Sequence, residues 1–134
     1  MVMRAYQRSL WHRGPMDLPT LAASKYLSLT TLKRDGTPVA TPVWLVRDGD
    51  ALLVTTQASS AKVKRIRNNP HVLLAPCDAR GRLKGEQVPG LAALQDPAET
   101  ERTTALIRKR YGILGWLLTR RGGDDRMGIR ITVD

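Results

Sequence analysis

Two Asp-Gly pairs separate three short stretches of alternating side chains, and they constrain the fold more than any other feature of the sequence. The pairs are Asp35-Gly36 and Asp48-Gly49. Asp-Gly is a preferred dipeptide of two-residue β-hairpin turns, because such turns need positive φ values that few other residues tolerate. The sequence therefore predicts three antiparallel strands, over residues 26–32, 39–46 and 51–56.

The remaining chain predicts three more strands and several short helices. Pro42, inside the second strand, cannot donate a ladder hydrogen bond, so it predicts an edge, a bulge or an opening that faces a ligand. Six mostly antiparallel strands favour a mainly β (α+β) fold, a small six-stranded barrel with short helices. The other predicted strands cover 71–76, 82–94 and 128–133, and the helices 20–24, 59–69, 96–111 and 113–121.

Charge and cysteine usage limit the function classes. The 134 residues include 22 Lys and Arg against 12 Asp and Glu, for a formal net charge of +10. This excess predicts an anionic partner: nucleic acid, an anionic lipid surface or a phosphorylated small molecule. A basic N-terminal arm (1–17) is expected before one domain (18–134). The lone Cys77 and the lack of a secretory or membrane-spanning run predict a cytoplasmic protein.

The sequence contains no arrangement typical of a catalytic or metal site. Its two histidines, His12 and His71, have no nucleophile or carboxylate at a spacing that suggests a triad, and Cys77 ends a predicted buried strand. Glycine-rich phosphate loops and the His-Glu-x-x-His pair are also missing. We therefore predict no catalytic side chain and no metal, so in an enzyme a bound cofactor would supply the difficult chemistry.

The junction from Thr55 to Lys62 is the most informative segment, because it joins a strand end to a helix start. Unpaired N–H groups in a first helical turn suit a phosphate. Lys62 and Arg65 place positive charge near the positive end of the helix dipole, which destabilises the helix by ~0.3–1 kcal/mol each. A bound anion would reverse this effect. Ser59 or Ser60 is expected to cap the helix. A solvated basic face remains the alternative, and nucleic acid is disfavoured because no aromatic residue offers a stacking platform.

Three motifs in sequence order resemble one known superfamily. They are Leu29-x-Thr31-Leu32-x-x-Asp35-Gly36-x-Pro38, then Thr41-Pro42-Val43-Trp44, then Thr55-Thr56-x-x-Ser59-Ser60-x-Lys62. This order resembles the pyridoxamine 5'-phosphate oxidase-like split β-barrels, and within them the deazaflavin-dependent reductases that use coenzyme F420. The resemblance implies an oxidoreductase that transfers a hydride between F420 and a small unsaturated or quinone-like substrate. The alternative functions are an FMN-binding flavoprotein of the same fold and a non-catalytic F420 carrier.

The resemblance also implies where the cofactor would bind. The junction would hold its phosphate, the second strand would lie beside its ring, and Thr55 would contact the chain between them. A homodimer with the sites at the subunit interface is implied as well. The implied cofactor-binding residues are Thr41, Pro42, Val43, Trp44, Thr55, Thr56, Ser59, Ser60, Ala61 and Lys62.

Two departures bear on the cofactor. Flavin-using members commonly place an Arg where Ala61 stands and another near Thr41 and Pro42, so the case for FMN is weaker. The acidic tail of a deazaflavin could instead use Lys64, Arg65 or the N-terminal arm.

The segment around residues 113–118 is apolar with basic residues on both sides. This pattern suits an anionic bilayer surface. We favour a dimer-packing helix instead, with Trp116 as a dimer or core anchor.

Overall fold

The computed structural model of the chain describes residues 17–120 and 125–134. The predicted arm and the predicted role of the Trp116 side chain fall outside what it describes. The described part holds seven strands and three helices: α1 (Leu18–Ala23), β1 (Tyr26–Leu32), β2 (Pro38–Val43), β3 (Val46–Asp48), β4 (Ala51–Gln57), α2 (Ala61–Asn68), β5 (His71–Cys77), β6 (Val88–Leu94), α3 (Pro97–Arg120) and β7 (Arg126–Val133).

All seven strands belong to one antiparallel sheet in the order β2-β1-β5-β6-β7-β4-β3. The outermost strands, β2 and β3, are joined by only Trp44 and Leu45. Because the two edges of the sheet must therefore lie close together, the sheet curls into a half-barrel with a split between them. The predicted mainly β, split-barrel fold is confirmed.

Both predicted hairpin turns are confirmed. Gly36 and Gly49 have φ values of 88° and 61°. In the first turn the Lys33 N–H donates to the Thr37 carbonyl at 2.9 Å, and the Gly36 N–H donates to the Lys33 carbonyl at 2.9 Å. These positive φ values are strained for any side chain with a Cβ, which explains why glycine stands at each turn.

The strand count differs from the prediction because residues 39–46 form two strands. β2 ends at Val43 and β3 begins at Val46. The backbone of Leu45 leaves the ladder and bonds to side chains of α3 instead: its N–H donates to the Tyr111 hydroxyl at 3.2 Å, and its carbonyl accepts from Arg110 Nη1 at 2.6 Å. A long-range contact therefore divides a segment that its alternating side chains predict to be one strand.

The predicted strand over residues 82–94 begins only at Val88. The Asp78 carboxylate organises the preceding loop: it accepts from the backbone N–H groups of Arg80 and Arg82, each at 2.9 Å, and pairs with the Arg82 guanidinium at 2.7 Å. These local bonds replace ladder pairing over residues 82–87, apart from a single bridge between Cys77 and Leu83.

The two helices predicted over 96–111 and 113–121 form one kinked element, α3. Its N-terminus has the expected capping box: the Glu99 N–H donates to Asp96 Oδ1 at 2.7 Å, and the Asp96 N–H donates to Glu99 Oε1 at 3.0 Å. Gly112 interrupts the helix with φ 66° and ψ −145°. The predicted boundary between the two segments is thus a bend rather than a loop.

The hydrophobic core fills the concave side of the sheet. α2 contributes Val63 and Ile66 to it, and α1 contributes Leu21. This packing holds α2 against β1 and β6, with its N-terminus just after the end of β4, where the candidate site lies. The core residues from the strands are Leu27, Leu29, Val43, Leu52, Val54, Val72, Leu74, Val88, Ala92, Ile129 and Ile131, with Leu45 beside them.

Gly90 marks a close approach inside the sheet, and its replacement gives a stability prediction. A Cβ at Gly90 would lie 2.8 Å from the Thr132 carbonyl oxygen and 3.0 Å from Leu74 Cδ1. Because the carbonyl oxygen belongs to the neighbouring strand, Gly90→Ala should lower the free energy of unfolding by about 1–3 kcal/mol. Urea denaturation measures this change. Ala93→Ser on the exposed side of the same strand is the control, and equal stability of the two variants would contradict the close approach.

Candidate anion-binding site

The candidate site lies where β4 ends and α2 begins. We call it the α2 corner and define it by Thr55, Thr56, Ser60, Lys62 and Arg126. β4 pairs with β7 up to the last register position, Gln57 opposite Arg126. Antiparallel pairing therefore brings the start of the last strand beside the predicted phosphate junction.

Ser60 is the N-cap residue of α2, with the extended backbone expected there (φ −69°, ψ 154°), but its side chain makes no capping hydrogen bond. The Ser60 hydroxyl is buried and has no partner among the described residues. A buried polar group without a partner costs about 1–3 kcal/mol. The first turn of α2 and the Ser60 hydroxyl thus both lack an acceptor, which the oxygens of a bound anion would supply.

Ser59, the other predicted capping residue, does not cap α2. Its hydroxyl donates to Asp125 Oδ2 at 2.9 Å, and the Ala58 N–H donates to the Asp125 carbonyl at 3.2 Å. These bonds tie the junction to the chain just before β7. A carboxylate beside Ser59 disfavours an anion at that hydroxyl, so Ser60 is the better placed of the two serines.

Lys62 is the half-buried cation of the corner. Its Nζ donates to Thr56 Oγ1 at 3.4 Å, a long bond, and no carboxylate of the described chain lies within ion-pair distance of it. Burial lowers the pKa of Lys62, and the positive charges of Arg65 and Arg126 lower it further. A bound anion would oppose all three effects, because it stabilises the charged ammonium group.

Arg126 belongs to the corner although no sequence motif pointed to it. Its Nη2 donates to Thr55 Oγ1 at 2.5 Å, and its Nε is buried without a partner in the described structure. Burial lowers the pKa of Arg126, with Arg108 adding to the effect and Asp125 opposing it. Arg126 stands two residues before the predicted start of the last strand, and only knowledge of the β4–β7 pairing would have revealed it.

The basic residues of α2 divide into two kinds. Arg65 is half-buried, and its Nε donates to Thr31 Oγ1 at 2.6 Å, which ties the helix to β1. Lys64 and Arg67 are exposed. The alternative of a solvated basic face therefore applies to Lys64 and Arg67, whereas Lys62 and Arg65 point toward the protein.

The residues predicted to lie beside the cofactor ring occupy the β2 edge of the sheet. Pro42 is exposed on this outer strand, which confirms the edge position that its missing N–H predicted. Thr41 has a buried hydroxyl without a partner in the described chain. The Val43 side chain packs in the core, so a ligand could reach only its backbone.

Trp44 stacks on Tyr111 of α3. The ring centroids are 4.4 Å apart and the planes differ by 7°. The Tyr111 hydroxyl donates to the Lys25 carbonyl at 2.7 Å, and the Arg110 guanidinium carbon lies 5.2 Å from the centre of the Tyr111 ring. One face of the Trp44 indole is therefore occupied by the chain itself, which leaves the other face for any ligand.

The ten predicted binding residues thus fall into three groups: the junction, the β2 edge and the Trp44–Tyr111 stack. Among the described residues, no hydrogen bond links the junction to Thr41, Pro42, Val43 or Trp44. A homodimer, in which the partner would complete each site, stays a prediction.

Neither a metal centre nor a membrane-spanning helix is present in the part of the chain that the structure describes. It contains no group of three or more His, Cys, Asp or Glu side chains placed to hold a metal ion. Within the same residues, no helix combines the length and the apolar character needed to cross a membrane.

A family model of pyridoxamine 5'-phosphate oxidase matches residues 18–134. The chain belongs to the pyridoxamine 5'-phosphate oxidase family. The match extends from the start of α1 to the end of the chain and therefore includes the whole sheet, the α2 corner and the β2 edge. No match was found among curated proteins.

Solved structures share the fold of this family member at low sequence identity. One titled F420 reductase is 22% identical, with a TM-score of 0.62 over 90% of this chain and 95% of its own. The heme storage protein HutZ from Vibrio cholerae is 17% identical, with a TM-score of 0.65 over 85% of this chain and 84% of its own. A conserved hypothetical protein of Mycobacterium tuberculosis is 23% identical, with a TM-score of 0.65 over 84% of this chain and 75% of its own. At these identities the likeness establishes the fold.

Proposed function

We propose that the chain is an F420-dependent oxidoreductase whose α2 corner holds the cofactor phosphate. One observation carries the proposal: the Ser60 hydroxyl is buried without a partner in the described chain, close in sequence to Lys62, whose pKa is lowered by burial and by two arginines. Donors and cations without acceptors fit the negatively charged oxygens of a phosphate group. The low-identity likeness to an F420 reductase agrees with this choice.

The residues at the corner have distinct roles in this proposal. Ser60, the Ala61 amide and Lys62 bind phosphate oxygens, and Thr56, already the acceptor for Lys62 Nζ, fixes the position of that ammonium group. Thr55 and Arg126 lie at the neighbouring strand ends, where the rest of the cofactor would leave the corner.

The bound cofactor supplies the hydride chemistry, so the chain has to bind, orient and exclude water. The β2 edge from Pro38 to Trp44 contains no carboxylate, histidine or lysine. Thr41, Pro42 and Trp44 can therefore position a flat ring, but none of them carries a group that titrates near neutral pH. Protonation of a reduced acceptor falls to solvent in this proposal.

Two observations favour F420 over FMN. Ala61 stands where flavin-using members commonly carry an Arg. The second Arg of those members, near Thr41 and Pro42, also has no counterpart on the exposed β2 edge. The competing proposals are an FMN flavoprotein and a protein that binds F420 without turning over an acceptor.

Parallel titrations separate the two cofactors. F420 and FMN are added to the same preparation while tryptophan fluorescence is recorded. We expect saturable quenching by F420 at micromolar concentration or below, and weaker binding of FMN. Tighter binding of FMN, or a purified sample that retains yellow FMN after gel filtration, would replace the proposal with the flavoprotein.

A second assay separates a catalyst from a carrier. Reduced F420 is mixed with the protein and a panel of quinones, enones and biliverdin-type tetrapyrroles, and its oxidation is followed by absorbance. We expect at least one acceptor class to accelerate oxidation in proportion to protein concentration. Binding of F420 without acceleration by any of them would support the carrier.

The lowered pKa of Lys62 predicts how cofactor affinity depends on pH. The phosphate binds the charged ammonium group, so affinity is constant below the pKa of free Lys62 and falls as the pH rises through it. Because that pKa lies below the ordinary lysine value, the loss of affinity should begin at a lower pH than it would for an exposed lysine. Lys62→Arg should remove the fall, since arginine stays charged. An unchanged fall in Lys62→Arg would assign it to another group.

A further inference from the structure

A separate cleft of about 610 Å³ lies on the other side of Arg126, between α3 and the start of β7. Its size is within the range of small-molecule sites. Thr100 and Thr104 also line it, and both hydroxyls already have partners. The Thr100 hydroxyl accepts from the Gly128 N–H at 2.9 Å, and the Thr104 hydroxyl donates to the Thr100 carbonyl at 2.9 Å. The other lining residues that matter here are Pro97, Glu101, Ala105, Arg108, Arg126 and Met127.

Two arginines lie at the end of this cleft near β7. Arg108 and Arg126 both line it, and they are close enough for Arg108 to lower the pKa of Arg126. Arg126 is half-buried, makes a side-chain hydrogen bond only to the neutral Thr55 hydroxyl among described residues, and has a buried Nε without a partner there. Two carboxylates belong to the surroundings: Glu101 lines the cleft two helical turns before Arg108, roughly 10 Å along α3, and Asp125 partly opposes the effect of Arg108 on Arg126.

We propose that the cleft binds the carboxylate of a small organic molecule whose apolar body lies along Pro97, Ala105 and Met127. Arginine presents a planar fork of donors that matches a carboxylate in a bidentate geometry. A half-buried guanidinium without a carboxylate partner is costly, and a bound carboxylate would remove that cost. The apolar wall selects an organic acid over a small inorganic anion. The proposal does not depend on the cofactor.

Arg126 also joins this cleft to the α2 corner. The Arg126 guanidinium donates to Thr55 at the corner and also lines the cleft. A carboxylate bound by Arg126 should therefore also shift the amide signal of Thr55. The amide signals of the two sites then distinguish direct binding from a transmitted effect, because Thr100 and Thr104 line the cleft and are not part of the α2 corner.

The test is a titration of the full chain with benzoate, followed by amide chemical shifts. We expect saturable shifts at Thr100, Thr104 and Met127, which line the cleft, and no saturation with benzyl alcohol, which lacks the charge. Arg126→Gln should weaken benzoate binding roughly tenfold or more, as expected for the loss of a charged hydrogen-bond partner. Ala105→Trp fills the cleft from an exposed helix position without changing its charge, and it should also abolish binding.

Inorganic phosphate provides the matched comparison, and we expect it to shift the Ser60–Val63 amides and not the cleft. Several results would overturn the proposal: benzoate shifts confined to the α2 corner, equal binding of benzyl alcohol, full binding by Ala105→Trp, or no saturable shift at Thr100 and Thr104. The outcome at Thr100 and Thr104 is independent of whether F420 binds.

Discussion

Lys62→Ala is expected to weaken F420 binding by roughly 10- to 100-fold, because a hydrogen bond to a charged group contributes about 1.5–3 kcal/mol. The half-buried Lys62 ammonium group has no carboxylate partner among the described residues and donates only to Thr56 at 3.4 Å. A bound phosphate would therefore be its principal partner. Fluorescence titration of the variant and the unmodified chain measures the ratio of dissociation constants.

Arg67→Ala is the matched control, because it removes one positive charge from the same helix at an exposed position. We expect it to change affinity less than about threefold, as for a screened surface charge. Similar losses in the two variants would mean that the general positive charge of α2, rather than the built corner, attracts the cofactor.

Tyr111→Ala is expected to lower the free energy of unfolding by about 3 kcal/mol, because the half-buried side chain loses both its ring contacts and its hydrogen bonds. The substitution removes the stack on Trp44, with its centroid distance of 4.4 Å. It also removes the hydroxyl that bonds the Lys25 carbonyl at 2.7 Å and the Leu45 N–H at 3.2 Å. These contacts join α3 to the turn between β2 and β3. Chemical denaturation with near-ultraviolet circular dichroism follows both stability and the environment of Trp44.

Tyr111→Phe separates the ring from the hydroxyl. It keeps the stack on Trp44 and leaves the Leu45 N–H without its acceptor, so we expect a loss of about 1–3 kcal/mol. If Tyr111→Ala costs less than Tyr111→Phe, or if both cost less than ~1 kcal/mol, the stack does not hold α3 against the sheet.

Local sequence signals predicted much of the fold. The Asp35-Gly36 and Asp48-Gly49 turns need only their own residues to form, and both are present. The capping box between Asp96 and Glu99 is likewise a contact across three residues. The bend at Gly112 follows from the ability of glycine to adopt a positive φ.

Contacts between distant residues account for what the sequence did not predict. The break between β2 and β3 depends on Leu45 bonding Arg110 and Tyr111, which are 65 and 66 residues away. The inclusion of Arg126 in the corner depends on its bond to Thr55, 71 residues away. Periodicity reports which face of a strand is apolar, but it does not report which strand lies alongside.

The candidate site shows the same division. The junction was found because a strand end, two serines and Lys62 are adjacent in sequence. The different roles of Ser59 and Ser60 were not predictable, because Ser59 is engaged by Asp125, which is 66 residues away. Only the structure identifies Ser60 as the serine whose buried hydroxyl has no partner in the described chain.

A crystal structure of the chain with bound F420 tests the phosphate corner most directly. We predict that phosphate oxygens lie within hydrogen-bond distance of Ser60 Oγ, the Ala61 amide and Lys62 Nζ, with the Ser60 hydroxyl no longer lacking a partner. A complex in which the phosphate binds elsewhere, while Ser60 and Lys62 keep their present contacts, would contradict the assignment.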